Sequence, residues 1–327
     1  MTLRDVKNYV RQFVPDDWIW KGHEIIDRSQ IVRYSSYHNA PFDCDALPFG
    51  INLIGYFKQN SGLGQSCRLL ARVIRELDIP FSFVNVDVPG IEGNDTTYDG
   101  QLNNSLDPLD RYKYGINLIC INMGDFLRYL KSTPAQAWDK HYNIAYWLWE
   151  VKELPKEWIP FINRVDEIWT PSEFISQTFR QVTKKNVVTI PYALEAPWNE
   201  KYSRKYFQLP ENRFLFLMMF DSNSITERKN PIAVIHAFKK AFTVQDEVGL
   251  VIKISHIKVD TSRQIKKMLE GYHVYYIDGI RQKEEVDSLI RDCNVYVSLH
   301  RGEGFGLVLA EAMLLGTPTI ATNYSAA

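Results

Sequence analysis

The sequence predicts an α/β protein of two Rossmann-like domains, each built on a parallel sheet, with the two sheets facing a cleft. Three observations predict it. From Ile51 onward, short apolar runs alternate with helical patterns, as the strands and helices of a parallel sheet do. The alternation breaks once, near 192–212, where Pro197, Asn199, Pro210 and Asn212 punctuate a charged, aperiodic stretch. A length of 327 residues also favours two domains over one.

The first series of apolar runs predicts strands at Ile51–Tyr56, Phe81–Asp87, Ile116–Ile121, Asn143–Trp149, Val165–Thr170 and Val187–Pro191. Helices fit between them at 63–77, 124–131, 155–163 and 173–182. The second series predicts strands at Phe214–Phe220, Gly249–Ile254, His273–Ile277, Val295–Leu299 and Thr317–Thr322. Its helices fall near 231–243, 262–271, 282–292 and 306–315. The domains expected are therefore an N-terminal extension at 1–49, a first Rossmann-like domain at 50–200 and a second at 201–327. The extension carries one amphipathic pattern (Val6, Tyr9, Val10, Phe13), and the segment 88–113 is a long loop rich in Asp, Asn and Gly. In such folds ligands gather beyond the carboxyl ends of the strands, so a ligand held by both domains belongs in the cleft.

Residues 298–321 carry the strongest functional signal. A strand runs into a Gly-rich turn, a helix starts near Gly306, and another strand follows Gly316 and Pro318. Glu311 is the only charged residue between Glu303 and Ala327, and it sits in a helix that is otherwise apolar all round. Such a helix is normally buried, and a buried carboxylate needs a partner or protonates. No residue near it in sequence supplies that partner. A sugar diol suits it, because one carboxylate accepts hydrogen bonds from two neighbouring hydroxyls. The helix start at Gly304, Phe305, Gly306 and Leu307 offers backbone N–H groups and a positive dipole end, suited to a diphosphate. The plainer alternative is an ordinary strand-turn-helix with an ion-paired Glu.

The run Glu303-Gly-Phe-Gly-Leu-Val-Leu-Ala-Glu311 resembles the E-x7-E signature of retaining GT-B glycosyltransferases, in particular the large family 4. The resemblance covers about 51–325. It implies that Glu303 binds donor sugar hydroxyls and Glu311 the ribose, with Gly304, Phe305, Gly306 and Leu307 lining the phosphates. The segments Tyr142-Asn-Ile-Ala-Tyr-Trp-Leu-Trp-Glu150 and Asp166-Glu-Ile-Trp-Thr-Pro-Ser-Glu173 resemble a bacterial branch tied to surface polysaccharides. Other branches carry a His at the carboxyl end of this strand, whereas His141 lies at its opposite end. Family chains usually continue past this point, so the second domain is expected to be truncated at its C-terminus.

Further candidates flank that motif. After the first strand, Gly62 and Gly64 lie in a turn whose N–H groups can approach an anion or a sugar, although the third Gly of a dinucleotide fingerprint is replaced by Cys67. In family 4 the matching loop faces the acceptor and the donor phosphates. Glu150 is either an acceptor-binding group or base, or a charge at a helix N-terminus. In the second domain Arg228 and Lys229 precede Pro231 at a helix start, a geometry suited to clamping a departing diphosphate; the alternative is a solvated basic turn. The family pairs an Arg just after the strand with a Lys before the helix; here Asp221 takes the first place, Lys229 matches the Lys and Arg228 stands beside it. Lys253 is a further cation near a strand end, and the loop reaching Arg281 lies where the family cradles the base. His300 either edges the donor site or is an ordinary loop histidine.

Composition excludes other classes. A net charge of −1 gives no polyanion-binding bias, so nucleic acid is not an expected partner. No apolar run approaches the length that spans a bilayer, and the start lacks a signal-peptide pattern. The cysteines Cys44, Cys67, Cys120 and Cys293 form no metal-binding cluster, which fits a reducing cytoplasm. Asp43-Cys-Asp45 is formally a DxD but precedes the first strand, so no metal or other cofactor is expected.

The resemblance thus implies a metal-independent, retaining hexosyltransferase. A nucleotide-sugar donor would bind in the second domain and a saccharide or lipid-linked acceptor in the first. Lys229, Arg228, Glu303 and Glu150 would act at the reacting centre. A cytoplasmic protein is expected, compatible with peripheral association at the inner face of a membrane. The rivals are a non-catalytic nucleotide- or sugar-binding module and a GT-B glucan synthase or phosphorylase.

Overall fold

The computed structural model describes residues 28–88, 93–222, 226–256 and 259–326. The amphipathic pattern of Val6, Tyr9, Val10 and Phe13 lies outside the described residues. Two compact units divide between Ala193 and Leu194.

The first unit contains α1 (Arg28–Ser35), β1 (Ile51–Gly55), α2 (Gly62–Glu76), β2 (Phe81–Asn85), β3 (Ile116–Ile119) and α3 (Met123–Ser132). It continues with β4 (Tyr142–Tyr146), β5 (Glu167–Thr170), α4 (Glu173–Arg180) and β6 (Asn186–Thr189). The strands form one parallel sheet in the order β2-β1-β3-β4-β5-β6. Being covered on both faces, they read as near-continuous apolar runs. One polar position repeats inside three of them. Asn52, Asn117 and Asn143 stand in register on β1, β3 and β4, each fully buried. Asn52 donates to Asn117 at 2.9 Å and Asn117 to Asn143 at 2.8 Å, and Asn143 ends the chain on the Trp138 carbonyl at 3.1 Å. A satisfied ladder of this kind penalises a register slip, which would leave buried amides unpaired.

The aromatic content of this unit is mostly core. Phe126 packs edge-on against Trp138, Trp147 and Phe161. The helix expected at 155–163 is instead a 3-10 helix at Ile159–Arg164. Pro155 and Pro160 explain the difference, because each lacks the N–H of a regular helical ladder. The described part of the loop 88–113 is mostly exposed but is anchored at a few points. Tyr98 is buried edge-on against Phe83, and Asn103 donates its N–H to the Phe83 carbonyl at 2.7 Å.

The second unit contains β7 (Phe214–Asp221), α5 (Pro231–Ala241), β8 (Val248–Ser255), α6 (Val259–Met268) and β9 (Val274–Asp278). It continues with α7 (Lys283–Asp292), β10 (Val295–Ser298), α8 (Leu307–Leu314) and β11 (Thr319–Ala321). Its sheet is parallel in the order β11-β10-β7-β8-β9. Much of the aperiodic stretch before β7 packs onto this sheet's helices. Asn199 N–H reaches Ser288 Oγ at 3.0 Å, and Arg204 donates to Asn294 Oδ1 at 2.8 Å and to the Asp292 carbonyl at 2.9 Å.

Helix α8 departs from expectation. Leu309, Glu311 and Ala312 are buried, but Met313 and Leu314 are 64% and 57% exposed, so its apolar character is not matched by burial all round. Among the described residues no helix is long and apolar enough to cross a membrane.

Candidate active site

In the second sheet the chain runs outward from β7 through β8 to β9, then returns to the other side of β7 to lay down β10. Loops that leave the carboxyl ends of β7 and β10 therefore diverge, and the space between them is the switch point where such sheets hold ligands. The predicted cations leave after β7 and the predicted carboxylate after β10. The two loops are stitched together: Arg301 N–H donates to the Arg228 carbonyl at 2.8 Å, and Asn230 Nδ2 to the Leu299 carbonyl at 2.9 Å. Arg228 Nη1 donates to the Gly302 carbonyl at 3.3 Å.

Glu303 is the hub of this cluster. Its carboxylate pairs with Lys229 Nζ and lies 3.9 Å from Arg228 Nη1. Burial alone would push its pKa up, but Lys229 and Arg228 outweigh burial and hold it below the usual value. Its backbone is fixed as well, since Ser325 Oγ accepts from Glu303 N–H at 3.1 Å and donates to the Glu303 carbonyl at 2.6 Å. Two cations on one carboxylate leave a net positive charge at the switch point.

Gly304, Phe305 and Gly306 then lead into α8. Gly306 has φ of 79°, in the left-handed region that favours glycine, and provides no side chain to cap the helix. Leu307 is the first helical residue. The turn is thus a narrow backbone bend at the start of α8, beside the charged cluster.

Glu311 is partnered within the protein. Its partner is a residue remote in sequence: Lys283 Nζ, at the start of α7, lies 3.1 Å from Glu311 Oε1. The same ammonium pairs with Asp287, whose side chain is fully buried. One cation therefore serves two buried carboxylates. Burial raises Glu311 to about 7, with Lys283 opposing and Asp287 adding to the rise. Burial likewise raises Asp287 to about 6, again opposed by Lys283. Sequence reasoning missed both Lys283 and Asp287. The available signal was the oppositely charged pair at i and i+4 on a predicted helix.

Lys253 is 6% exposed near the carboxyl end of β8, and its ammonium bonds Ser255 Oγ. Burial lowers its pKa, with Asp221 on neighbouring β7 opposing the shift. Asp221 also lies 3.0 Å from His256 Nδ1. His300 is buried, with Nδ1 3.2 Å from Ser298 Oγ and Nε2 3.3 Å from the Tyr324 carbonyl. Arg281 lines a separate cavity of about 380 Å³ in the same unit, with Tyr206 and Tyr276.

In the first unit the sheet's own switch point lies between β1 and β3. Gly62 and Gly64 are the first and third residues of α2, directly after the turn that follows β1. Ser61 caps α2 by accepting the Gly64 N–H at 3.2 Å. A Cβ on Gly64 would stand 2.1 Å from the Gln59 carbonyl oxygen, whereas one on Gly62 would meet nothing within 4 Å. The glycine at 64 is therefore required by the turn's own closure, independently of any ligand. Glu150 lies beyond the end of β4 on its carboxyl side and is half-buried. The 3-10 turn that follows starts only at Ile159, so Glu150 is not the N-terminal charge of a helix there. His141 sits at the amino end of β4, its ring nitrogens 2.9 and 2.8 Å from the Asp139 and Tyr112 carbonyls.

Comparison with known proteins sets this geometry in context. Residues 200–327 match the family described as glycosyl transferases group 1. No curated protein matches the sequence. Solved structures do resemble the fold. HepE of Anabaena, in complex with UDP and glucose, shares 13% identity, with 85% of this chain and 82% of that one covered and a TM-score of 0.59. A glycosyltransferase of Rickettsia africae shares 14%, covering 86% and 80%, with a TM-score of 0.60. Sucrose-phosphate synthase of Thermosynechococcus elongatus shares 15%, covering 85% and 82%, with a TM-score of 0.60. The fold is GT-B. The family match over the second domain and the shared fold together support a GT-B glycosyltransferase.

Proposed function

We propose that the chain transfers a hexose from a nucleotide-sugar donor to a saccharide or lipid-linked acceptor, with retention of anomeric configuration and without a metal. The observation that carries this reading is the convergence of Lys229, Arg228 and Glu303 at the β7/β10 switch point, directly before a helix bearing Glu311. Departure of a nucleoside diphosphate develops negative charge. Lys229, Arg228 and the start of α8 supply fixed positive potential for it in a partly buried setting. Glu303 is offered to donor hydroxyls and Glu311 to the ribose. Gly62, Gly64 and Glu150 stand on the acceptor side in this reading, and Lys253 adds a cation near the donor phosphates. The surface-polysaccharide resemblance of 142–173 favours a cytoplasmic role in polysaccharide assembly, at the inner face of a membrane when the acceptor is lipid-linked.

HepE's complexes with UDP and with UDP-glucose make a UDP-sugar the first donor to try. The test is a melting screen over UDP-, GDP-, ADP- and TDP-glucose, followed by an assay of nucleoside diphosphate release with EDTA present. A donor at a hundred times its Kd adds about 2.7 kcal/mol of stability. No shift and no release with any donor sinks the proposal. Loss of release in EDTA, rescued by Mn²⁺, sinks its metal-free form. The anomeric configuration of the product, read by NMR, tests retention.

A further inference from the structure

A histidine–carboxylate pair with no part in the donor contacts proposed so far stands at the carboxyl ends of β7 and β8. Asp221 is the last residue of β7 and stands in register with Ser255, the last of β8. Ser222 N–H donates to the Ser255 carbonyl at 3.0 Å and closes the two strand ends together. His256 follows with φ of 48°, in the left-handed region that few side chains adopt. Its Nδ1 lies 3.0 Å from both carboxylate oxygens of Asp221. A carboxylate only accepts, so Nδ1 carries the hydrogen and Nε2 is the nitrogen left for another partner. Nε2 has no hydrogen-bond partner among the described residues. The side chains of His256 and Asp221 are 34% and 37% exposed, so a ligand can reach the ring.

The pair shares the sheet edge of the donor cluster. Arg228 and Lys229 also follow β7, on the chain between Asp221 and α5. Neighbouring strands lie about 5 Å apart, so the end of β8 is roughly 10 Å from the end of β10, within the length of a nucleoside diphosphate. The charges about the ring are few. Asp221 comes from β7 and Lys253 from β8, where it is 6% exposed and attracted by Asp221. Arg281, from the loop after β9, repels Lys253 but is offset by Glu285 at 3.4 Å. Lys253 and Asp221 therefore balance, and one proton on His256 makes the cluster positive.

A fully ionised phosphate offers acceptors only. Nε2 can meet it only by carrying a hydrogen of its own, and with Nδ1–H held by Asp221 the ring is then an imidazolium. The carboxylate behind the ring and the phosphate before it both stabilise that charge. We infer that His256 is a phosphate-binding residue for the donor, its Nε2–H donating to a diphosphate oxygen, with Asp221 as the residue that positions it. The proton comes from solvent, so nucleoside diphosphate binding and proton uptake by this ring are coupled. This inference rests on the donor reading above.

The test reads the ring itself. Full-length protein labelled with 15N at His is titrated at pH 8 with UDP and with uridine. An ordinary imidazole is mostly neutral at that pH. The His256 signals are assigned by their loss in His256→Gln, and the other histidine signals report that each variant stays folded. UDP is expected to move both His256 nitrogens to the imidazolium pattern, and uridine is expected to leave them unchanged. Asp221→Asn is expected to bind UDP with the ring left neutral. In calorimetry His256→Gln is expected to bind UDP about tenfold or more weakly and uridine as wild type does. UDP that binds with His256 still neutral, or as tightly to His256→Gln, overturns this inference and leaves the donor reading standing. Equal responses to UDP and uridine overturn it too, because the contact would then be to the base or ribose. A wild type that binds no nucleoside diphosphate removes the donor reading and this inference with it.

Discussion

The ammonium of Lys283 stands 3.1 Å from Glu311 Oε1 while also pairing with Asp287, so one partly exposed cation holds two buried carboxylates. The arrangement makes the protonation of Glu311 sensitive near neutral pH. Its pKa is pushed up to about 7, chiefly by burial. A carboxylate accepts from both hydroxyls of a ribose, whereas the protonated acid is a poorer double acceptor. On the proposed role, nucleoside diphosphate affinity should fall as pH drops below that value, by about tenfold per unit at the limit. Calorimetry between pH 5 and 8 measures it. Glu311→Gln should bind about ten- to a hundredfold more weakly at pH 8 and lose most of the pH dependence. A wild-type affinity independent of pH, or a Glu311→Gln protein that binds like wild type, removes the ribose assignment and leaves Glu311 as a structural ion pair.

The same triad makes a stability prediction. Glu311 is raised from 4.5 to about 7 and Asp287 from 3.8 to about 6, so the folded protein binds more protons than the unfolded chain in that window. Stability from these groups is greatest below the unfolded values and declines as pH rises through the folded ones. Lys283 opposes both shifts. Lys283→Met should therefore carry the decline to higher pH, and its loss of stability should be larger at pH 8 than at pH 5. Breaking a fully buried pair costs about 3–5 kcal/mol; with Lys283 one-third exposed, about 2 kcal/mol at pH 8 is expected. Urea unfolding across pH reads the difference. A loss that does not vary with pH contradicts the shared-cation account.

Much of the fold is legible in the residues because buried parallel strands leave an unmistakable pattern. The runs at Ile51, Ile116, Phe214 and Gly249 all became strands. The helix expected at 155–163 failed on Pro155 and Pro160, where local proline chemistry overrode an apolar periodicity. In the site, Glu303, Arg228 and Lys229 were legible as residues, but their mutual contact depends on β10 returning beside β7. The partner of Glu311 was not legible, because Lys283 reaches it from another helix and only the packing of α7 on α8 brings them together. The Asn52–Asn117–Asn143 ladder shows the same limit, because only the register of β1, β3 and β4 aligns the three side chains.

The two glycines after β1 should behave oppositely. Gly64→Ala places a Cβ 2.1 Å from the Gln59 carbonyl oxygen, a backbone atom that cannot swing aside. Overpacking of this kind costs about 1–3 kcal/mol, so a lower melting temperature is expected. Gly62→Ala meets open space at the start of α2 and should be neutral or slightly stabilising, because alanine is the better helix former. Thermal unfolding of the two variants decides. Equal losses would mean that the turn does not close as described.

Glu303 and Lys229 share one contact but should give different kinetic signatures. Glu303 is placed for the donor sugar, so Glu303→Ala should spare free nucleoside diphosphate while weakening the nucleotide-sugar about ten- to a hundredfold. Lys229 faces the charge that grows on the departing diphosphate, so Lys229→Ala should depress kcat more than donor affinity. Removing either residue also frees its partner. Lys229→Ala leaves Glu303 with Arg228 alone at 3.9 Å, which lets burial raise the Glu303 pKa. The pH below which Lys229→Ala loses activity should therefore move upward relative to wild type. Steady-state kinetics with the donor found in the screen, run from pH 5 to 8, measures all three effects. Parallel losses of nucleoside diphosphate and nucleotide-sugar binding in Glu303→Ala, or a Lys229→Ala protein altered only in KM, would show that the cluster holds the two loops together and does not act on the leaving group.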